Sequence, residues 1–552
     1  MPPSTRVRRL PSPAPWLLCL VLAVGVSGCP GSDKCEEQPE TCNPPPSQDD
    51  DAGTGDAGPG DAGPGDAGTP DAGTPDAGIV VDPNVSMLLT KNDAFFTKRG
   101  LEFQPRDFAA SPAQLFPHDG GTPVPGIVMG PGLVRFDVPP GTYLVKSTST
   151  QYLVVSWRSV DISTRLYGRP GRGGVFFPSP APASLNLSGL APDPDPNWDN
   201  DSALSFHSLD IEESGSLSLL QPLPEGEPTL MTTNAEYLSD YGNIPRFDPA
   251  QGDSAWVVQT QERDAGVEAD GGAPVSYSSL VRAAQLNPFA FDGGTFSVQA
   301  ILQPAPQQTV RFDWRREEFN ALRIASTTGS PSINEFVDVY PALKTAQEGW
   351  FDYSVNPMLS YSPRRTAAPT PLVKELSYGN PYPSGWEPMA QFNSLYSYAV
   401  TNHDGSRTLR ISESFLSTEA ASDLVSSPVR PRISLPRAFQ VEGTPATTPR
   451  ILGSATPLVS WEPPALGTVT GYTLQISRFN TATNSLTNVA RIYMGPEERS
   501  VRLPSGLLVP GNDYVLRLTA QHMPGVRTER GWFTLVVPSA SATTNSALLT
   551  LQ

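Results

Sequence analysis

Proline and glycine constrain this chain more than any other feature: its 552 residues include 61 Pro and 47 Gly, close to a fifth of the total. Each proline fixes φ and removes a backbone donor, which interrupts helices but is tolerated by short strands joined by turns. No long amphipathic helical stretch offsets that pressure, so the fold class expected is all-β. Hydrophobic cores stop growing near about 250 to 300 residues, so the chain is expected to divide into several domains.

The formal net charge is −18, and loss of residues 1–28 takes away Arg6, Arg8 and Arg9 and no acid, moving it to −21. There is no Lys/Arg cluster and no basic stripe interleaved with aromatics. Nucleic acid and an anionic bilayer surface are therefore excluded as partners.

The N-terminus reads as an address. Arg6, Arg8 and Arg9 precede an apolar run from Trp16 to Val26, the length of a signal-peptide core and short of the roughly 18 residues that span a membrane. The run ends in Val26-Ser27-Gly28-Cys29, which resembles the bacterial lipobox. That resemblance implies cleavage before Cys29 and a diacylglyceryl group on its thiol; the alternative is an ordinary secretory signal cut at a small-residue site. With about 0.8 kcal/mol per buried methylene, two or three acyl chains hold a protein at a membrane without a second anchor. Pro30 stands at position +2, where Gram-negative lipoproteins retained at the inner membrane usually carry Asp, so the resemblance implies the outer membrane or the cell surface. Cys35 and Cys42 remain for a small disulfide loop; a metal site there would need further soft ligands, and no His lies in the segment.

From Asp51 to Gly78 the tripeptide Asp-Ala-Gly occurs six times at a period of five, and no basic residue lies between Lys34 and Lys91. Nothing here can bury a core, and the aspartates repel one another, so residues 29–78 are expected to be a disordered, extended tether. About 50 residues of such linker reach roughly 40 Å on average and roughly 150 Å fully extended. The repeat does not match the glycine-rich calcium-binding nonapeptide.

At the other end, Leu458-Val459-Ser460-Trp461-Glu462-Pro463-Pro464 reads as a strand closing on a proline turn, and Tyr472-Thr473-Leu474-Gln475-Ile476 as an alternating strand. With Leu508-Val509-Pro510-Gly511-Asn512-Asp513-Tyr514 before a further strand, this resembles the fibronectin type III pattern. The resemblance implies a tyrosine corner at Tyr514, whose hydroxyl bonds backbone upstream. It also implies a last strand over Gly531–Val537. The loop 521–530 holds no Arg-Gly-Asp, so integrin-like recognition is not implied. Nearer the N-terminus, the run from Leu133 to Lys146 reads as two alternating strands around the turn at Pro139-Pro140-Gly141, with a third strand at Tyr152–Trp157. This resembles the hairpin of prealbumin-like or carboxypeptidase-regulatory-like sandwiches.

Between these ends, strands are expected at Ala255–Gln259, Tyr277–Val281, Thr295–Leu302 and Tyr396–Val400. An acidic hairpin tip is expected at Asp264–Gly272, and a helix over Asp313–Arg323 with Asp313 as its cap. The predicted organisation is thus a signal peptide (1–28), the tether (29–78), a β-sandwich (79–168), a β-rich middle region of open fold (169–445), a fibronectin type III-like domain (446–540) and a tail (541–552). The whole resembles surface lipoproteins of high-GC Gram-negative bacteria, a resemblance that brings no activity with it.

Four sites could carry chemistry. Gly252-Asp253-Ser254 resembles the nucleophile block of GDS-type esterases, but that family's Asp-x-x-His is missing: Val400 precedes His403 by three, and Thr519 precedes His522. Turn chemistry before the strand at Ala255 is the favoured reading. His118, His207, His403 and His522 share no zinc spacing. Asp193, Asp195, Asn197, Asp199 and Asp201 alternate as a calcium loop does, but Trp198 replaces the turn glycine and Leu204 the bidentate glutamate, which leaves a solvated acidic loop as the competing account. Tyr378, Tyr382 and Trp386 form a Pro-rich aromatic loop that could stack on sugar rings or fold back over a sandwich edge. Together these point to a lipid-anchored, non-enzymatic binding or adhesion module for polysaccharide or protein, with no cofactor unless calcium. The alternatives are an extracellular hydrolase in the middle region and a purely structural envelope protein.

Overall fold

The computed structural model describes residues 85–552 except 98–99, 109–112, 119–120, 172–173, 193–201, 221–227, 269–273, 324–331, 346–348, 353–355, 366–368 and 527–536. The lipobox with Cys29, the pair Cys35 and Cys42, the repeat tether and the acidic loop 193–201 lie outside the described residues. What is described is nearly all β, as the sequence predicts.

The first sandwich packs β1 (Met87–Thr90), β2 (Gln114–Pro117), β3 (Leu133–Phe136), β4 (Tyr143–Lys146), β5 (Gln151–Val155) and β6 (Ser159–Asp161). One sheet sets β1 between β6 and β3; the other sets β4 between β2 and β5. Alternation along β3 and β4 sends Val134, Phe136, Tyr143 and Val145 into one core with Leu89, Leu115 and Leu153. The expected hairpin of β3 and β4 is corrected: the two strands lie in opposite sheets. Pro139 and Pro140 cannot donate to a ladder, and the connection arches across the core instead, held where the Tyr143 hydroxyl donates to the Pro139 carbonyl at 2.8 Å.

The next region closes on itself. It comprises β7 (Ala181–Ser188), β8 (Ser202–Ser208), β9 (Glu213–Leu219), β10 (Thr229–Ser239), β11 (Ala255–Asp264), β12 (Ser276–Leu286), β13 (Phe296–Ile301) and the short β14 (Gln303–Pro304). Pairing runs β7–β10–β9–β8–β11–β12–β14, and β13, directly before β14, returns parallel to β7. Phe206 sits at the centre of its core, its ring 4.9–5.7 Å from those of Tyr237, Phe247, Phe289 and Phe296. β11 and β12 form the expected hairpin, paired from Ala255↔Leu286 out to Asp264↔Ser276.

The chain continues into β15 (Gln307–Trp314), α1 (Arg316–Ala321), β16 (Ser332–Thr345), β17 (Leu359–Tyr361), β18 (Leu372–Gly379), β19 (Trp386–Thr401) and β20 (Thr408–Ala420). β15 and β18 pair as one layer, and β17–β16–β19–β20 as the other. The helix is shorter than predicted and Asp313 does not cap it. Strand pairing continues through Trp314↔Leu372, which delays the helix to Arg316, and the Asp313 carboxylate takes Arg315 at 2.6 Å. Phe319 is buried against Trp314 and Phe415, and Leu322 packs partly beside it.

The C-terminal module has β21 (Arg437–Val441), β22 (Leu458–Glu462), β23 (Gly471–Asn480), β24 (Ser485–Met494), β25 (Ser500–Arg502), β26 (Asn512–His522), β27 (Ser539–Asn545) and β28 (Leu549–Leu551). One sheet runs β21–β22–β25 and the other β24–β23–β26–β27, the strand order of a fibronectin type III sandwich. Tyr514 makes the corner: its hydroxyl accepts from the Val509 amide at 2.8 Å and lies 3.3 Å from the Val509 carbonyl. Trp461 and Tyr472 pack with ring centroids 5.3 Å apart. Two boundaries are corrected. The first strand begins upstream of 446, and residues 541–552 are no tail: Ser541 to Asn545 lie in β27, and Leu549, Leu551 and Ala542 are core residues. Of the predicted last strand Gly531–Val537, residues 531–536 lie outside the described residues; the strand that pairs with β26 is β27.

Both edges of this larger sheet are covered. β5 of the first sandwich lies parallel to β24, with Ile492↔Tyr152, and β20 lies antiparallel to β27, with Leu416↔Ser541. Hydrogen-bonded strands thus run continuously through the three regions, and Pro83–Gln552 forms one compact unit. Among the described residues no helix is long and apolar enough to cross a membrane.

Candidate functional site

The aromatic loop is not an exposed platform. Tyr378 is 2 % and Tyr382 8 % exposed, so neither ring has a face to offer a sugar, and only Trp386 is partly open. The Tyr378 hydroxyl donates to Gln308 Oε1 at 3.1 Å. Tyr382 is carried back onto the outer face of the closed region, where β8 and β11 place His207 opposite Trp256. Its hydroxyl lies 2.8 Å from His207 Nε2 and its ring 5.5 Å from that of Trp256. Burial pushes the His207 imidazole down to about 3 and the Tyr382 phenol up. Both are therefore neutral near pH 7 and share a single hydrogen bond between the phenol oxygen and Nε2. The loop clamps two regions together.

Gly252-Asp253-Ser254 likewise forms a joint. Gly252 takes φ 78°, closing a short turn capped by Asp248. Asp253 is fully buried and receives Arg169 through Nε at 2.6 Å and Nη2 at 2.7 Å, a bond that raises the guanidinium pKa further. The Ser254 hydroxyl donates to Asp210 Oδ2 at 2.6 Å. Ser254 and Asp210 are both buried, which denies a substrate the approach that nucleophilic catalysis requires.

Asp193, Asp195, Asn197, Asp199 and Asp201 lie outside the described residues. The chain entering that loop is held by Gln259, whose side-chain amide bonds the Ala191 amide and carbonyl, and by Gln261 on the Pro192 carbonyl at 2.7 Å. Among the described residues no group of three or more His, Cys, Asp or Glu is placed to hold a metal. His403 sits on Thr550 and His522 on the Thr468 carbonyl, each alone.

A site that sequence reasoning missed lies on the closed region: an open groove of roughly 780 Å³ where β12 and β13 diverge from the Ala283↔Gln303 pair. Asn186, Gln285, Gln299 and Gln303 form its rim. Ala284, Leu286 and Ala300, which pack partly against the core beneath, form its floor. Parallel register sets Asn186 beside Gln299 and Ser188 beside Ile301, and antiparallel register sets Met231 beside Asn186. Ile301 and Met231 are 66 % and 82 % exposed. Strand alternation builds this surface: in Ser297-Val298-Gln299-Ala300-Ile301 the even positions face the core and the odd ones face out. No ionisable side chain lines the groove. Its amides both donate and accept, so it can hold a neutral polar ligand but has no group to move a proton. The available signal was an outward strand face without charge, which is unusual beside solvent.

No family model and no curated protein matches the chain. Among solved structures, the crystal structure of chicken CNTN1 FN1-FN3 domains is 13 % identical, covering 63 % of this chain and 90 % of that one, with a TM-score of 0.13. A score that low carries no argument, and the fibronectin type III-like arrangement rests on the strand order and the Tyr514 corner.

Proposed function

We propose that the protein is a non-enzymatic binding module displayed at the bacterial surface, lipidated at Cys29, carried on its Asp-Ala-Gly tether, and engaging a neutral extended ligand in the groove between β12 and β13. The observation that carries this reading is the groove's composition: amides on the rim, small apolar groups on the floor and no charge within it. Such a lining suits orientation and hydrogen bonding of a ligand, not acid–base or nucleophilic chemistry. The display half rests on the lipobox resemblance, and Cys29→Ala is expected to abolish palmitate incorporation.

The binding half is tested by thermal unfolding of the mature chain with neutral glucan fragments and with uncharged peptides. A ligand at 100 times its dissociation constant adds about 2.7 kcal/mol. The shift is expected to disappear in the double variant Asn186→Ala/Gln299→Ala and to persist in Trp386→Ala. A shift lost in Trp386→Ala and kept in the double variant would overturn the assignment to the groove.

A further inference from the structure

We infer that the ligand of the groove is an uncharged, extended polypeptide segment that adds as a strand between β12 and β13; this rests on the groove being the binding site. The ring of strands is stitched at Ala283↔Gln303 and Arg282↔Pro304 and then opens. β12 continues along β11 through Ala284, Gln285 and Leu286, while β13 runs along β7. Among the described residues, neither stretch has a strand on the side facing the other.

The backbone of β13 is oriented for such an addition. The Leu302 amide donates to the Ser188 carbonyl at 2.8 Å, which in a parallel ladder turns residues 298, 300 and 302 toward β7. Ser297, Gln299 and Ile301 therefore turn their amides and carbonyls toward the opening. A strand laid there meets main-chain donors and acceptors from β13, small apolar side chains beneath and amide side chains at the rim. That arrangement matches the alternation of an extended peptide, one face down and one face out. Charge selects further: the groove offers an acidic or basic segment no counter-charge, and the chain's net −18 disfavours acidic segments at longer range.

The test pans the full mature chain against a displayed library of ten-residue peptides built only from uncharged residues. An enriched peptide is then synthesised with and without N-methylation at alternate amides. The unmethylated peptide is expected to slow hydrogen exchange at residues 284–286 and 297–301. N-methylation, and separately Ile301→Pro, are each expected to weaken it by about ten-fold or more, since both remove ladder hydrogen bonds while leaving the groove's other side chains in place. Comparing the two peptides on the unaltered protein keeps the test decisive if Ile301→Pro fails to fold. Failure of any peptide to enrich, or equal binding of the N-methylated one, overturns strand addition. Protection of the same amides by neutral glucan fragments would keep the groove as a binding site while overturning this ligand; protection by neither would overturn both.

Discussion

The C-terminal sandwich and the closed middle region are built from the same alternating strands, yet they treat their edges in opposite ways. In the sandwich, the sheet β24–β23–β26–β27 is covered on one side by β5 and on the other by β20. Among the described residues, the middle region has a seam between β12 and β13 that no strand fills. An exposed edge is a template for pairing, and proteins usually cover or charge it. Here the larger sheet of the module with a recognisable motif is sealed at both edges, and the region without one carries the opening. The motif residues Trp461, Tyr472 and Tyr514 are all buried and serve architecture, which leaves recognition to a surface that no motif marks.

The middle region can be unlocked from within at its buried ion pair. Arg169→Ala leaves the fully buried Asp253 carboxylate without its guanidinium, and removing one partner of a buried pair costs about 3–5 kcal/mol. Urea unfolding is expected to show that loss. A change below about 1 kcal/mol would mean that the turn at Gly252 holds without the pair.

The middle region also buries acid. Burial pushes the Glu213 carboxyl up to about 8 against an ordinary value near 4.5, with Asp240 and Glu212 adding repulsion, and the Tyr237 hydroxyl donates to it at 2.6 Å. A raised folded-state value means that the folded chain holds a proton the unfolded chain has released. The stabilising contribution is therefore complete below about pH 4.5 and is lost as pH rises toward 8, by up to about 1.4 kcal/mol per pH unit across that window. Asp338, raised by burial to about 6, acts with the same sign over a narrower range. Stability of the mature chain is expected to fall between pH 5 and 8, and Glu213→Gln to flatten the profile. An unchanged slope in that variant would remove Glu213 from the account.

What could be read in advance follows from the range of the interactions involved. Tyr514 and its partner Val509 are five residues apart, so one motif specifies the corner, and Tyr514→Phe, which removes the hydroxyl that the Val509 amide bonds, is expected to cost about 0.5–1.5 kcal/mol by thermal unfolding. Tyr382 and His207 are 175 residues apart, and nothing local to the aromatic loop distinguishes burial against a distant histidine from exposure to a sugar. The hairpin expected from Leu133 to Lys146 failed for a related reason: alternation assigns faces but not partners, and two successive prolines favoured an arch between sheets. The joins of β5 to β24 and of β20 to β27 involve sheet edges, whose register no side-chain pattern records.

The smallest effect bears most directly on the seam. Gln299 stands on the rim beside Asn186 and is exposed, so replacing it should leave the fold intact: surface substitutions usually stay within about 0.5 kcal/mol. A hydrogen bond to a bound ligand contributes about 0.5–1.5 kcal/mol, so Gln299→Ala is expected to weaken binding by up to about ten-fold at unchanged melting temperature, measured by titration calorimetry. The matched change on the sealed sheet, Gln475→Ala on β23, alters a strand paired on both sides and is expected to leave affinity untouched. Equal losses from the two would mean that recognition is spread over the β-surface, and the contrast between a sealed module and an open one would then have no functional content.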